Sequence, residues 1–157
     1  MVKIFIALLL AAALAGCTES DDAIGGGGSN GTDTALRCTT PTDPTATLGS
    51  TFNLRFAGRS MVLGEGLSLT FGQVVSDNRC AQGTVCVSEG EAEVVIQVVD
   101  LQHNPANLDL STATRLTALG SYHGFDVQLV QVSPYPEFGR APTHEVDYCV
   151  ELTVTRP

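Results

Sequence analysis

Few side chains in this chain are placed to do chemistry, and they fall into three groups. Glu89, Glu91 and Glu93 recur at every second position. On a strand they would share one face, where neighbouring carboxylates repel unless a hard cation such as calcium, its shell completed by a loop, sits among them. The plainer alternative is a solvated face partly neutralised by arginines such as Arg55 or Arg79. His103, His123 and His144 have no histidine partner at i+2 or i+4, so only the fold could gather them round a transition metal. His144 with Asp147 could orient a hydroxyl nucleophile, but no G-x-S-x-G or comparable elbow presents one. We therefore expect no catalytic residue, no metal ligand and no cofactor.

The second group is Asp77 and Arg79, which flank the turn into Cys80. Their alternation permits an ion pair that fixes a loop, and we expect that structural role rather than ligand contact. The third is SPYPEFGRAP, residues 133–142. Its three prolines stiffen it, and Tyr135, Phe138 and Arg140 are residue types enriched at binding hot spots. The segment reads either as a binding surface or as a long hairpin connection that packs its own aromatics.

Five cysteines punctuate the sequence, and four of them lie beyond the N-terminal region: Cys38, Cys80, Cys86 and Cys149. An even number in an exported chain points to two disulfides, with three pairings open. Cys80 and Cys86 are separated only by the turn-like AQGTV, so a local bridge is natural. The first and last segments of a sandwich are often neighbours, which makes Cys38–Cys149 the expected second bridge. The loop-entropy model assigns about 2.4 kcal/mol to the short bridge and about 4.8 kcal/mol to the long one, before strain. Zinc is the competing reading, but C-x5-C is a poor ligand spacing and no histidine is close in sequence.

The fifth cysteine, Cys17, belongs to a different chemistry. Lys3 precedes an apolar run at residues 4–15, too short to cross a bilayer, which takes about 20 residues. A charged start, a short apolar run and small residues mark a secretory signal. Its end, Leu14-Ala15-Gly16-Cys17, resembles the bacterial lipobox, whose cysteine is lipidated after cleavage on its N-terminal side. The resemblance implies a signal peptide over 1–16 and an acylated Cys17. Thr18, rather than aspartate, follows the cysteine, which favours the outer membrane of a Gram-negative cell. Two acyl chains already anchor a protein stably, so a fully acylated cysteine would hold it permanently.

TESDDAIGGGGSNGTDTA follows, and its glycines and small polar residues read as a flexible tether over 17–36. Eighteen such residues reach about 24 Å on average. Without the signal the chain holds 7 arginines and no lysine, against 17 acids. The absence of lysine excludes Schiff-base chemistry, a Ser-Lys dyad and a P-loop. Four acids lie in the tether, so residues 37–157 carry 13 acids against 7 arginines. A net charge of −6 disfavours nucleic acid as a partner.

The elements that must position these residues show period two. Phe52, Leu54 and Phe56 alternate with polar residues, as do Leu67, Leu69 and Phe71. Val94, Ile96 and Val98 sit in a β-branched run, and Val127, Leu129 and Val130 in another. Tyr148, Val150, Leu152 and Val154 alternate with Cys149, Glu151, Thr153 and Thr155, which turns Cys149 away from the core. Turn residues bound each run. Residues 108–120, Thr-rich and only half alternating, fit a strand or a short helical turn. About 120 residues suit one domain, and the pattern predicts an all-β fold: a single antiparallel β-sandwich, Ig-like or related, of about seven to eight strands, with a barrel as second choice.

FGQVVSDNRCAQGTVCVSEGEAEVVIQV resembles a segment of uncharacterised bacterial secreted and lipoprotein β-domains, of the form F-x-x-V-x-x-D-S-R-C-P-x(3,4)-C-x-W-x-G-x-A-x-V. FDVQLVQVSPYP resembles the Y-x-V-x-L-x-x-V-x-P-Y-P that follows there. Matching positions are Asp77, Arg79, Cys80, Cys86, Gly90, Ala92, Val127, Leu129, Val132, Pro134, Tyr135 and Pro136. Asn78, Ala81 and Ser88 depart from it, the last replacing a tryptophan. The resemblance implies no activity. The whole reading is a lipid-anchored envelope protein, non-enzymatic, that binds a protein or glycan partner or plays a structural part. A calcium- or transition-metal-binding periplasmic module is the alternative.

Overall fold

The computed structural model describes residues 36–157, apart from 103 and 143. The expected signal segment at 1–16, the expected lipidation site Cys17 and the expected tether up to residue 35, together with His103, therefore lie outside the described residues. Among the described residues nine strands form: β1 (Thr45–Ala46), β2 (Thr51–Arg55), β3 (Arg59–Val62), β4 (Leu67–Asp77), β5 (Ala92–Val99), β6 (Pro105–Ser111), β7 (Leu119–Tyr122), β8 (Phe125–Ser133) and β9 (Cys149–Thr155). They make two sheets, in the orders β1-β3-β4-β5-β6 and β2-β9-β8-β7. The sandwich expected from the alternating pattern is the fold, and the described strands close no barrel. Neither the two-residue β1 nor β3, with which it pairs in parallel, is announced by the pattern.

Two antiparallel meanders carry the architecture, β3 to β6 in one sheet and β7 to β9 in the other, with β2 beside β9. Their facing sides hold the core: Leu54, Leu67, Leu69, Phe71, Ile96, Val127, Leu152 and Val154 are fully buried. The expected alternation holds strand by strand, except where β-bulges reset it. In β8 a register shift between Leu129 and Gln131 adds one residue. The inward set therefore steps from Val127 and Leu129 to Val132, and Val130 turns out to solvent. Val130 is thus a bulge residue, not part of the core run. In β4 two shifts, near Gly72 and Val75, expose Val75 in the same way. Residues 108–120 divide into the end of β6, a Thr-rich turn and the first two residues of β7.

The registers fix the two ends of the sandwich. Asp77 pairs with Ala92, Glu93 with Ser111, and Cys149 with both Ser133 and Arg55. The 78–91 loop, the 112–118 turn, the 134–148 connection and the incoming segment 36–43 therefore gather at one end, called here the loop end. The turns at 63–66, 100–104 and 123–124 lie at the other.

Candidate functional site

Asp77 closes β4 and Arg79 lies two residues further on, so both side chains reach the same side of the chain. They meet as a two-point ion pair, with Arg79 Nε 2.8 Å from Asp77 Oδ1 and Nη2 2.7 Å from Oδ2. The pair is buried, the two side chains being 5% and 6% exposed. A charge pair withdrawn from water is tolerable only if its remaining donors and acceptors are met. Here Arg79 Nη1 donates to the Val132 carbonyl at 2.6 Å, and Nη2 to the Pro134 carbonyl at 2.9 Å. The Tyr148 hydroxyl donates to Asp77 Oδ2 at 3.1 Å. The Tyr135 ring covers the guanidinium at 4.8 Å.

This cluster ties the two sheets together. Asp77 and Arg79 leave the first sheet, whereas Val132 lies in β8 of the second, Pro134 follows that strand and Tyr148 precedes β9. Tyr148 feels both burial and the Asp77 carboxylate beside it, and both hold its hydroxyl proton well above the ordinary tyrosine range. The structural role expected for Asp77 and Arg79 is the one they have. It involves five of the positions matched above, Asp77, Arg79, Val132, Pro134 and Tyr135, because the last three complete the arginine's shell.

Beyond Asp77 the β4–β5 hairpin continues as an irregular ladder, with Asn78 N–H bonded to the Glu91 carbonyl and Cys80 N–H to that of Glu89. Gly90 sits between them at φ +65°, where a Cβ would lie 1.8 Å from the Asn78 carbonyl oxygen. Only glycine fits that approach. Cys80 and Cys86 are bridged, as are Cys38 and Cys149. Cys149 points off the core face, as period two requires, and Cys38 covers it. Cys38 N–H also bonds to the Asp147 carbonyl.

Tyr135, Phe138 and Arg140 all lie on the loop end, and all three are exposed. Each has different neighbours. Tyr135 borders a shallow hollow of about 260 Å³ with Arg79, Glu89 and Gly90. Phe138 stands beside Gly83 of the disulfide loop, and Arg140 bonds Glu137 at 3.2 Å. The 134–148 connection does join adjacent antiparallel strands, but it does not pack Phe138, which is 74% exposed. Backbone bonds hold this connection to the disulfide loop, from Gln82 N–H to the Pro136 carbonyl and from Phe138 N–H to that of Gln82.

Val85 and Val87 were not legible as surface residues. Both are fully exposed. The available signal was their position: within or directly after a disulfide loop that encloses only five residues, no strand can turn them inward.

The acidic trio divides. β5 begins at Ala92, so Glu89 lies in the loop, while Glu91 accepts the Ser111 hydroxyl and Glu93 the Ser76 hydroxyl. Arg79 does not neutralise them, because Asp77 engages it. A hollow of about 400 Å³ between β5, β6 and the turn towards β7 brings Glu93 to Asp109, with Val75, Leu116 and Leu119 at its margin. Among the described residues no three His, Cys, Asp or Glu side chains are grouped to hold a metal ion.

His144 and Asp147 bracket a short 3-10 helix (Glu145–Asp147), and Asp147 Oδ2 accepts the His144 backbone N–H at 3.0 Å. Asp147 is buried and its other oxygen lies 3.5 Å from Arg37 Nε. His123, at the opposite end, stacks on Tyr122 and meets Asp100 at 2.9 Å. Burial would raise the Asp100 carboxyl. The Asn104 N–H, His123 and the Asn104 amide outweigh that effect and lower it to about 2. The two described histidines thus serve turns at opposite ends of the fold.

No protein family, curated protein or solved structure matches the chain.

Proposed function

We propose that this protein is an envelope lipoprotein, anchored through Cys17 and carried on a glycine-rich tether, whose sandwich binds a partner or builds structure rather than catalysing a reaction. The partner is a protein or glycan of the envelope, and the outer membrane is the site of anchoring. The LAGC segment and the resemblance to bacterial secreted and lipoprotein domains support the location. One observation carries the reading of the fold. The charged residues of the resembling segment, Asp77 and Arg79, spend their hydrogen bonds on each other and on backbone carbonyls. They act as a brace, and what they brace is a pair of loops that hold Val85, Val87 and Phe138 in water. A rigid loop end with projecting apolar side chains is built for contact.

Fractionation of a Gram-negative host tests the anchoring. Wild type should sediment with membranes and come off with detergent but not with salt, and Cys17→Ser should be membrane-free. A Cys17→Ser variant that stays on the membrane, or a wild type free in the periplasm, would overturn the reading.

A further inference from the structure

We infer that the loop end of the sandwich seats on the bilayer that anchors the chain, with Val85, Val87 and Phe138 entering the lipid interface. The inference rests on the anchoring reading above.

Two independent features meet at this end. The first is apolar surface. Val85, Val87 and Phe138 project from two loops, the first closed on itself by the Cys80–Cys86 bridge and joined to the second by the Gln82 bonds to residues 136 and 138. Leu116 and Val146 stand exposed at the same end, whereas at the opposite end the exposed large apolar residues among those described are Met61, Leu63 and Leu101. Because the loops are already fixed, little ordering is lost when they bind.

The second feature is where the chain enters. Leu36 N–H bonds to the Ala141 carbonyl at 3.3 Å, three residues from Phe138. The Cys38–Cys149 bridge fastens the following residues to the second sheet. The eighteen residues that separate Cys17 from the folded module thus join it on the loop end, beside the apolar tips. With an average reach of about 24 Å, the tether holds these tips within contact distance of the lipid. The effective concentration of surface is then of millimolar order, so an affinity too weak to recruit a free protein suffices here. Tyr135 and Arg140 flank the tips, and both types settle at the headgroup level with their apolar portions inward. Exposed Glu89 and Glu137 offset Arg140, so the contact is apolar rather than electrostatic and should persist in salt.

The chain has no tryptophan, so a single substitution makes a reporter. Full-length lipidated protein carrying Phe138→Trp or, at the opposite end, Leu101→Trp is placed on phosphatidylethanolamine–phosphatidylglycerol vesicles that contain brominated acyl chains. After flotation confirms binding, the Phe138→Trp emission should shift to the blue and be quenched by the bromines, in low and high salt alike. The Leu101→Trp emission should change in neither respect. Val85→Ser/Val87→Ser in the Phe138→Trp background should restore much of the lost emission with no change in melting. Floated protein with an unquenched Phe138→Trp reporter overturns the seating while leaving the anchor intact. A reporter shielded from aqueous iodide but untouched by brominated lipid, in a particle of doubled mass, means that a second copy covers the end instead, which also overturns it. Protein that does not float at all defeats the anchor reading, and the seating with it.

Discussion

Asp77 and Arg79 stand two residues apart and face each other through two hydrogen bonds, of 2.7 and 2.8 Å, inside the protein. Their arrangement converts a loop junction into the joint between the two sheets. Removing one partner leaves the other charge buried and unmatched, so Asp77→Asn or Arg79→Met should each cost about 3–5 kcal/mol. The double variant removes both charges and should cost about 0.5–3 kcal/mol less than the sum of the two. Urea unfolding of the four proteins measures this coupling. Strict additivity would mean that the pair contributes nothing as a pair.

Gly90→Ala should be among the most damaging single substitutions outside the core. The new methyl would meet the Asn78 carbonyl oxygen, a backbone atom that cannot swing aside. Gly124 is the control, with φ +80° and nothing within 4 Å of an added Cβ. Its alanine variant should lose about 1–2 kcal/mol, the cost of the left-handed backbone alone. Gly90→Ala should lose clearly more, and equal losses in chemical denaturation would refute the close approach.

Tyr148 predicts a specific alkaline weakness. The folded protein holds the Tyr148 proton above the ordinary pKa of about 10, so the tyrosine of the unfolded chain ionises first. Stability from this group is therefore complete below about pH 10 and declines as pH rises from there towards the folded value. No lysine lies beyond Lys3 and the four cysteines of the domain are bridged, which leaves tyrosines as the side chains that titrate in this window. Tyr122 is shifted the same way, by burial first and then by Asp100. Denaturation midpoints should fall above about pH 10 in wild type. Tyr148→Phe should flatten that fall, and an unchanged slope would contradict the account.

How much of this could be read from the sequence depended on the reach of each rule. Period two found the core of β2, β4, β5 and β9, because one residue in two must face the other sheet. It lost phase late in β8 and β4, where a bulge adds a residue so that Val132 rather than Gln131 faces in and Val75 turns out, and nothing in a β-branched run marks where that happens. The disulfides were legible from spacing and from which way Cys149 must point. The ion pair was legible as Asp77 with Arg79. Its remaining partners, the Val132 and Pro134 carbonyls and the Tyr148 hydroxyl, lie 53 to 71 residues away and depend on how the sheets stack. Tyr135, Phe138 and Arg140 were legible as exposed residues of one connection, but their neighbours, Arg79, Gly83 and Glu137, depend on how the loops dock.

Ser60 offers a gain in stability. Its hydroxyl is buried on β3 with no hydrogen-bond partner among the described residues. An unmet buried hydroxyl costs about 1–3 kcal/mol, so Ser60→Ala should raise the free energy of unfolding by part of that. A variant less stable than wild type would mean that the hydroxyl is satisfied after all.

The most direct test of the account is the intact mass of the protein purified from the membranes of a Gram-negative host. The account predicts a chain that begins at Cys17, without residues 1–16, carrying acyl mass that localises to the Cys17 peptide. A mature chain that retains those residues, or one that begins elsewhere with an unmodified Cys17, would contradict it.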